Sequence, residues 1–289
     1  MISRHALAKQ ATHAALRLRA QLGRRLEDAV CPYDLVEEIG VSLRFMSMPS
    51  LEGMYHAGRR PLVIVNSLRP AGRRAFNCAH ELGHHIFNHG TCVDELLARD
   101  EDEERSDPKE FMANRFAAAL LMPKVAVERA FASRGWNARA PSPEQVYIVA
   151  GYLGVGYVTL ISYLQGTLRV MSRVHAMRLR RFAPKNIRAE LVGRHVSHDL
   201  VIVDEQWTGR PIDLEVGDVA QLPLGCEPAG NSLDLKAAEH SLLRLACAVT
   251  PGVNQLFLRG LNWAVPIRVI KRGYVGLARY RHLEEEDDG

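Results

Sequence analysis

The feature that most constrains how this chain folds is the segment His80-Glu81-Leu82-Gly83-His84. Residues four apart lie on the same face of an α-helix, so both imidazoles reach one ion only if this segment is helical. Zinc binds such nitrogens, and a catalytic zinc site takes three protein ligands and leaves one position for water. Glu81 is rotated by about 100° from His80, which suits it to accept a proton from that water. The pattern therefore predicts a helix that holds one zinc ion per chain, with Glu81 as the catalytic base.

The third ligand must come from elsewhere in the chain. A histidine six residues after His84 would complete a known extended motif, but that position is Gly90. Glu110 is the best-placed carboxylate because it lies near the start of a second amphipathic helix, which holds a ligand more firmly than a loop does. Asp107 and Pro108 form a typical helix start, however, and Glu110 is equally well explained as the capping-box partner of Asp107. Spacing alone leaves both roles open.

Other potential ligands flank the motif. His85 and His89 are also four residues apart, but the residues between them include no carboxylate. His85 is rotated by about 140° from His80 on a helix. We therefore expect both histidines to lie at the surface or beside the site, outside the ligand set. Cys78 is expected to be a small buried hydrophobic residue.

Apolar spacing and breaker residues outline the first 138 residues. The acids between 100 and 107 predict an exposed loop that interrupts the helical pattern. The elements predicted on either side are helices over 4–29, 33–39, 75–88 and 107–122, and strands over 41–46 and 61–66.

The composition changes at Pro141-Ser142-Pro143, which predicts a domain boundary there. Residues 145–165 resemble a helix-turn-helix, residues 166–195 carry eight Lys or Arg against one Glu, and short apolar runs from residue 200 indicate strands. One helix is expected near 235–248. The predicted class is α+β, comprising a mostly helical zincin-like domain with a small antiparallel sheet over 1–138, a helix-turn-helix-like and basic segment over 139–198, and a β-rich domain over 199–289.

The helix-turn-helix-like segment is a weak predictor of DNA binding. Its expected recognition face consists of Gly156, Tyr157, Thr159 and Ser162 and has no basic residue, whereas DNA-reading helices use Arg or Lys. A structural helix pair beside a solvated basic flank is the simpler interpretation. Weak or indirect nucleic-acid contact through residues 166–195 remains the alternative.

Composition limits the class of protein. Of 289 residues, 47% are hydrophobic and 24% charged, as in ordinary globular proteins. The longest apolar run, Phe116–Met122, is too short to span a membrane. Five cysteines without a C-x-x-C pair, and no apolar signal core after Met1, favour a reducing cytoplasm. We expect a cytoplasmic protein with no membrane partner; its oligomeric state is left open.

Several segments together resemble the ImmA/IrrE zinc metallopeptidases. The resemblance covers roughly residues 5–165. It includes Gly53-Met54-Tyr55, the strand Leu62–Asn66, the arginine pair before the metal motif, and the segment Glu110-Phe111-Met112-Ala113-Asn114-Arg115-Phe116, which is similar to the family's E-x-x-A-N-x-F helix. The chain departs from the family at Asn77 and Cys78, where Thr and Leu are usual.

The resemblance implies a function and completes the site. It implies that Glu110 is the third zinc ligand beside His80 and His84, and that Glu81 activates water. It also implies an endopeptidase that cleaves a transcriptional repressor of the Xre-like type in a stress response or mobile element. The alternative is a DNA- or protein-binding regulator whose metal site is structural or vestigial. From the strand-then-helix order we further expect the substrate to add as a strand to a sheet edge near Pro61–Asn66.

Overall fold

The structure is a computed structural model that describes residues 3–95, 107–193, 198–207, 210–236, 244–258 and 262–283. The chain forms two compact units. The first comprises Met1–Arg129, Leu153–Gly156 and Val275–Arg279, and the second comprises Ala130–Tyr152, Tyr157–Tyr274 and Tyr280–Gly289. Helices combined with several small sheets confirm the α+β class. The three-part division made from the sequence stays a prediction.

The helices and strands follow one another in an order typical of an α+β chain. In chain order they are α1 (Arg4–Gln21), α2 (Pro32–Glu38), β1 (Ser42–Met46), β2 (Leu51–His56), β3 (Leu62–Asn66), α3 (Ala71–Ile86), β4 (Cys92–Glu95), α4 (Pro108–Leu121), α5 (Lys124–Ala132), α6 (Pro143–Leu153), α7 (Tyr157–Ser162) with a π turn (Tyr163–Thr167), α8 (Arg173–Leu179), α9 (Pro184–Val192), β5 (Leu200–Ile202), β6 (Ile212–Glu215), β7 (Val219–Leu222), β8 (Cys226–Ala229), β9 (Leu233–Lys236), β10 (Arg244–Ala248), β11 (Gly252–Leu258), β12 (Ala264–Ile270), β13 (Gly276–Leu277) and a 3-10 turn (Ala278–Tyr280).

The sheet of the first unit has the strand order β13-β1-β3-β2-β4. Strands β1 and β3 are parallel and the other pairs are antiparallel, so the sheet is mixed rather than purely antiparallel as expected. The expectation that a substrate adds beside Pro61–Asn66 was wrong, because β3 lies between β1 and β2 and its ladder positions are taken. Interior position also explains the unbroken apolar run in β3, since Val63 and Val65 are fully buried.

Helix α3 packs against this sheet, and two further helices of the first unit pack behind it. Helix α3 contacts β2 and β3, and α4 packs against both α1 and α3. Leu82 on α3 and Phe116 on α4 are fully buried. A Cβ at Gly83 would lie only 3.0 Å from the Cα of Ala113, so the helices approach closely because Gly83 has no side chain. This approach brings the start of α4 to the metal motif.

The structure corrects several predicted element boundaries. Helix α1 ends at Gln21 rather than 29, and α3 begins at Ala71, one turn before the predicted start. The helix expected near 235–248 was wrong, since β9 and β10 pair antiparallel there. In β9 the apolar Leu233 and Leu235 alternate with polar residues, which is the period of a strand. The acidic segment 100–106 lies outside the described residues.

The second unit contains two four-stranded sheets, ordered β5-β7-β10-β9 and β6-β12-β11-β8, which confirm a β-rich C-terminal part. Helix α6 and the helix formed by α7 with its π turn meet at an angle of 102°, which is within the range of helix-turn-helix pairs. Tyr157 does not belong to an exposed recognition face, because it is buried and its hydroxyl donates to the Leu179 carbonyl at 3.0 Å. In the described part of the chain, no single helix is long and apolar enough to cross a membrane, and only the bent pair passes on length and composition.

Candidate metal centre

Helix α3 carries the H-E-x-x-H residues on its buried face. Ala75, Cys78, Ala79 and Leu82 anchor this face in the core. His80, Glu81 and His84 are themselves at most 5% exposed. The Nε2 atoms of His80 and His84 lie 2.9 Å apart. The four-residue spacing on a helix therefore directs both imidazoles to one point, as the sequence predicts.

Glu110 reaches the same point from α4. Its Oε2 lies 3.2 Å from Nε2 of His80, and its Oε1 lies 3.6 Å from Nε2 of His84. The side chain of Asp107 caps α4 by accepting a hydrogen bond from the Lys109 amide at 2.8 Å, as its sequence position indicates. The carboxylate of Glu110 faces both histidines, which favours the ligand role over the capping role.

A second carboxylate, Asp94, was missed by the sequence analysis. Its Oδ2 lies 3.1 Å from Nε2 of His80. One potential ligand atom from each of His80, His84, Asp94 and Glu110 lies within 4.8 Å of all the others. Asp94 belongs to β4, whose place depends on pairing with a strand forty residues earlier, so spacing along the chain offered no signal for it.

The outer ring nitrogens of both histidines also have partners. Nδ1 of His80 lies 3.0 Å from Oδ1 of Asn114, which accepts only if His80 carries its proton on Nδ1. Nδ1 of His84 lies 3.1 Å from Nδ1 of His89. Burial, followed by the charges of His84 and Lys109, lowers the pKa of His89 to about 4, so His89 is neutral and able to accept. Both contacts leave the Nε2 lone pairs directed into the site.

Glu81 lies beside the ligands against strand β2. A Cβ at Gly53 would lie 2.6 Å from Oε1 of Glu81, so the carboxylate rests directly on the strand backbone. Both carboxylate oxygens are buried and make no hydrogen bond of standard geometry among the described residues, although the carboxyl group of Asp94 lies close enough to share a proton with Glu81. Burial, followed by the charge of Asp94, raises the pKa of Glu81 well above its usual value. A cation held by the neighbouring side chains would favour the ionised form of Glu81, in which the carboxylate can accept a proton.

Burial and neighbouring charges act in opposite directions on the pKa values of the groups in the centre. Burial favours neutral imidazole, but Asp94 and Glu110 outweigh it and hold the pKa of His80 well above its usual value. Burial likewise opposes ionisation of the carboxylates, but the histidines lower the pKa of both Asp94 and Glu110. The site therefore needs a positive charge at its centre, which either a protonated imidazole or a metal cation supplies.

The donor set fits zinc. Imidazole nitrogens and carboxylate oxygens are zinc ligands with bonds of about 2.0–2.2 Å, and the edge of such a tetrahedron is about 3.3–3.5 Å. The measured donor–donor distances involving His80 are 2.9, 3.1 and 3.2 Å, and that from His84 to Glu110 is 3.6 Å. These four distances are close to the edges of such a tetrahedron, and all four donors lie within 4.8 Å of one another.

The remaining predicted residues lie outside the ligand set. His85 Nδ1 bonds to the hydroxyl of buried Tyr55 at 2.8 Å, and Cys78 is fully buried, as expected. Three further side chains of a type that can stabilise a reacting oxygen are those of Tyr55, His56 and His175. His56 is exposed, and Nε2 of His175 donates to the Pro141 carbonyl at 2.9 Å. Among these, none joins the group of potential metal ligands.

Comparisons with known proteins identify the domain that carries the centre. A search of curated protein sequences gives no match. A solved structure described as a Mycobacterium tuberculosis transcriptional regulator is 20% identical, with a TM-score of 0.35, over 54% of this chain and 46% of that one. The chain thus spans less than half of that protein. The peptidase M78 family model, described as the IrrE N-terminal-like domain, matches residues 36–161, which include every residue of the centre. This match, which covers somewhat less than half of the chain, supports membership of the ImmA/IrrE family.

Proposed function

We propose that the protein is a zinc-dependent endopeptidase that cleaves a transcriptional repressor. The observation that carries this proposal is the position of Glu81, whose buried carboxylate lies beside two histidines and a glutamate that suit zinc. A purely structural metal site has no use for such a carboxylate. The family match supports peptide-bond hydrolysis as the chemistry.

The residues of the centre divide the work of hydrolysis. His80, His84 and Glu110 would hold one zinc ion, which polarises a carbonyl and makes a nearby water more acidic. Hydrolysis adds water across the carbon–nitrogen bond, so one proton must move from water to the leaving nitrogen. Glu81 accepts that proton on a carboxylate oxygen and delivers it to the amine. Asn114 keeps His80 in the tautomer that presents Nε2.

The proposed substrate is an Xre-like repressor in the cytoplasm, whose cleavage relieves repression under stress or in a mobile element. This rests on the family resemblance rather than on a binding surface. Substrate entry by strand addition is compatible with β4 or β13, the outer strands among those described, and not with β3.

Profiling new protein N-termini in source cells tests this proposal. Cells expressing the wild type are compared with cells expressing Glu81→Gln, which retains shape and removes the proton acceptor. Glu128→Ala, at an exposed acid on α5, is the matched control. We expect a small set of cuts that depend on Glu81, one of them in a DNA-binding repressor. Identical profiles in both strains under stress would contradict the peptidase proposal.

A second candidate is a regulator whose metal site is structural. Four protein donors around one point are typical of closed structural zinc sites. The basic segment also presents exposed side chains suited to phosphate, namely Arg169, Arg173, Arg178, Arg180 and Arg181. In that case Glu81→Gln would preserve the biological task, whereas removal of those arginines would abolish it along with salt-dependent binding to duplex DNA.

A further inference from the structure

Strand β4 brings a second carboxylate, that of Asp94, into the group of potential metal ligands. Oδ2 of Asp94 lies 3.1 Å from Nε2 of His80, as close as the Glu110 oxygen at 3.2 Å. Two histidines and Glu110 already supply the three protein ligands of a catalytic site. Asp94 is therefore the extra donor, and a fourth protein donor leaves a tetrahedral metal without room for water.

Strand pairing fixes where this carboxylate points. Asp94 is paired with Gly53 in the antiparallel ladder of β4 and β2, and directly opposed residues project from the same face of a sheet. The Cβ direction of Gly53 leads to Glu81, so the side chain of Asp94 projects to the same side. A slip of one residue would turn Asp94 away from the site. The pairing register is consistent with a built ligand.

The ladder is irregular at the same place. Leu51 pairs with Glu95 and Gly53 with Asp94, so β2 contains one additional residue between these pairs. Such bulges redirect side chains and are common beside active sites. The side chain of Asp94 is 18% exposed, against 8% for Glu110. Asp94 is thus the more accessible of the two carboxylates, and it lies on a short strand at the edge of the described sheet.

From these contacts we propose that Asp94 is a fourth protein ligand that closes the metal centre, so that the resting protein is a latent peptidase. The proposal rests on the proposed function for its meaning, since only a peptidase needs an open position. Cleavage requires Asp94 to leave, which opens a place for water next to Glu81 and exposes the edge of β2 to a substrate strand. His80, His84 and Glu110 keep the metal throughout.

The test uses the full-length protein loaded with Co²⁺, whose visible spectrum reports the ligands around it. Azide is the probe for an open coordination position. We expect azide to leave the wild-type spectrum unchanged and to shift the spectra of Asp94→Ala and Asp94→Asn. Zinc affinity, measured against a chromophoric chelator, is expected to fall roughly tenfold or more in Asp94→Ala. Glu128→Ala is the matched control and should behave as the wild type.

The outcomes separate this proposal from the proposed function. If azide shifts the wild-type spectrum as readily as that of Asp94→Ala, or if zinc affinity is equal in both, Asp94 is not a ligand and the proposal is overturned. If the metal measurements agree with expectation, Asp94→Ala should also produce the Glu81-dependent cuts in cells without stress. If Asp94→Ala produces no more of those cuts than the wild type does, the proposal that the resting protein is a latent peptidase is overturned. Absence of such cuts in every strain instead counts against the peptidase, while the spectra still assign the ligand.

Discussion

A Cβ atom at Gly53 would lie 2.6 Å from Oε1 of Glu81. The distance is well below any normal contact, so the buried carboxylate is accommodated only because strand β2 has no side chain there. The relationship joins a strand and a helix that are separated by almost thirty residues. It explains why the Glu81 carboxylate rests between the candidate metal ligands and strand β2.

Replacement of Gly53 by alanine should therefore damage catalysis more than metal binding. The added methyl group displaces the Glu81 carboxylate, and a displacement of about 1 Å at a reacting group costs roughly 100-fold in rate. The three atoms nearest to the new Cβ all belong to Glu81, so we expect zinc affinity to be preserved. Cleavage of the substrate found by N-terminal profiling, measured beside chelator competition, checks this. Equal losses in both quantities would contradict it.

Gly83→Ala should separate the two helices that carry the ligands. Alanine favours a helix by about 1 kcal/mol over glycine, but its Cβ would lie 3.0 Å from the Ala113 backbone, and overpacking costs about 1–3 kcal/mol. We expect lower stability to urea, followed by circular dichroism, and weaker zinc binding as Glu110 moves with α4. Gly151→Ala is the control, because nothing lies within 4 Å of its added Cβ. A variant as stable as the wild type would show that the helices adjust freely.

Asn114 should control zinc affinity without touching the metal. Asn114→Leu removes the acceptor for Nδ1 of His80, which lies 3.0 Å away, and loss of such a partner typically lowers metal affinity 10- to 100-fold. Asn114→Asp keeps an acceptor and should bind zinc nearly as well as the wild type. Chelator competition on the three proteins measures this. Wild-type affinity in the leucine variant would mean that the hydrogen bond does not hold the imidazole.

The helical part of the site was predictable because its geometry is local. A period of 3.6 residues places His80 and His84 on one face in any helix, and Asp107 marks the start of α4 by the chemistry of its own side chain. Choosing Glu110 over the other acids required the family resemblance, since its distance from His80 depends on how two helices pack.

The strand part of the site was not predictable, because it depends on long-range pairing. Asp94 reaches His80 only through its register with Gly53, and no pattern within β4 indicates that register. The same limitation led to the wrong helix near 235–248, where short alternating strands found partners across the sheet. An interior place for β3, by contrast, was implicit in its unbroken apolar run.

His282 should make the stability of the second unit depend on pH. Its Nδ1 lies 3.2 Å from the Val269 carbonyl, and burial, followed by the charge of Arg281, lowers its pKa from 6.5 to about 4. Between pH 6.5 and 4 the unfolded chain therefore binds a proton that the folded chain does not, so stability falls as the pH falls, by up to about 3 kcal/mol. His282→Gln retains a donor for Val269 and removes the titration, so its stability should change less over this range.

Tryptophan fluorescence isolates this effect, because Trp136, Trp207 and Trp263 all belong to the second unit. Urea unfolding is followed at pH 7, 5.5 and 4.5 for the wild type, for His282→Gln and for His56→Gln, a control at an exposed histidine of the first unit. We expect the wild type and the control to lose stability together on acidification, and His282→Gln to lose less. Equal losses in all three proteins would assign the acid sensitivity to other groups, because only the His282 variant lacks the buried imidazole that must take up a proton on unfolding.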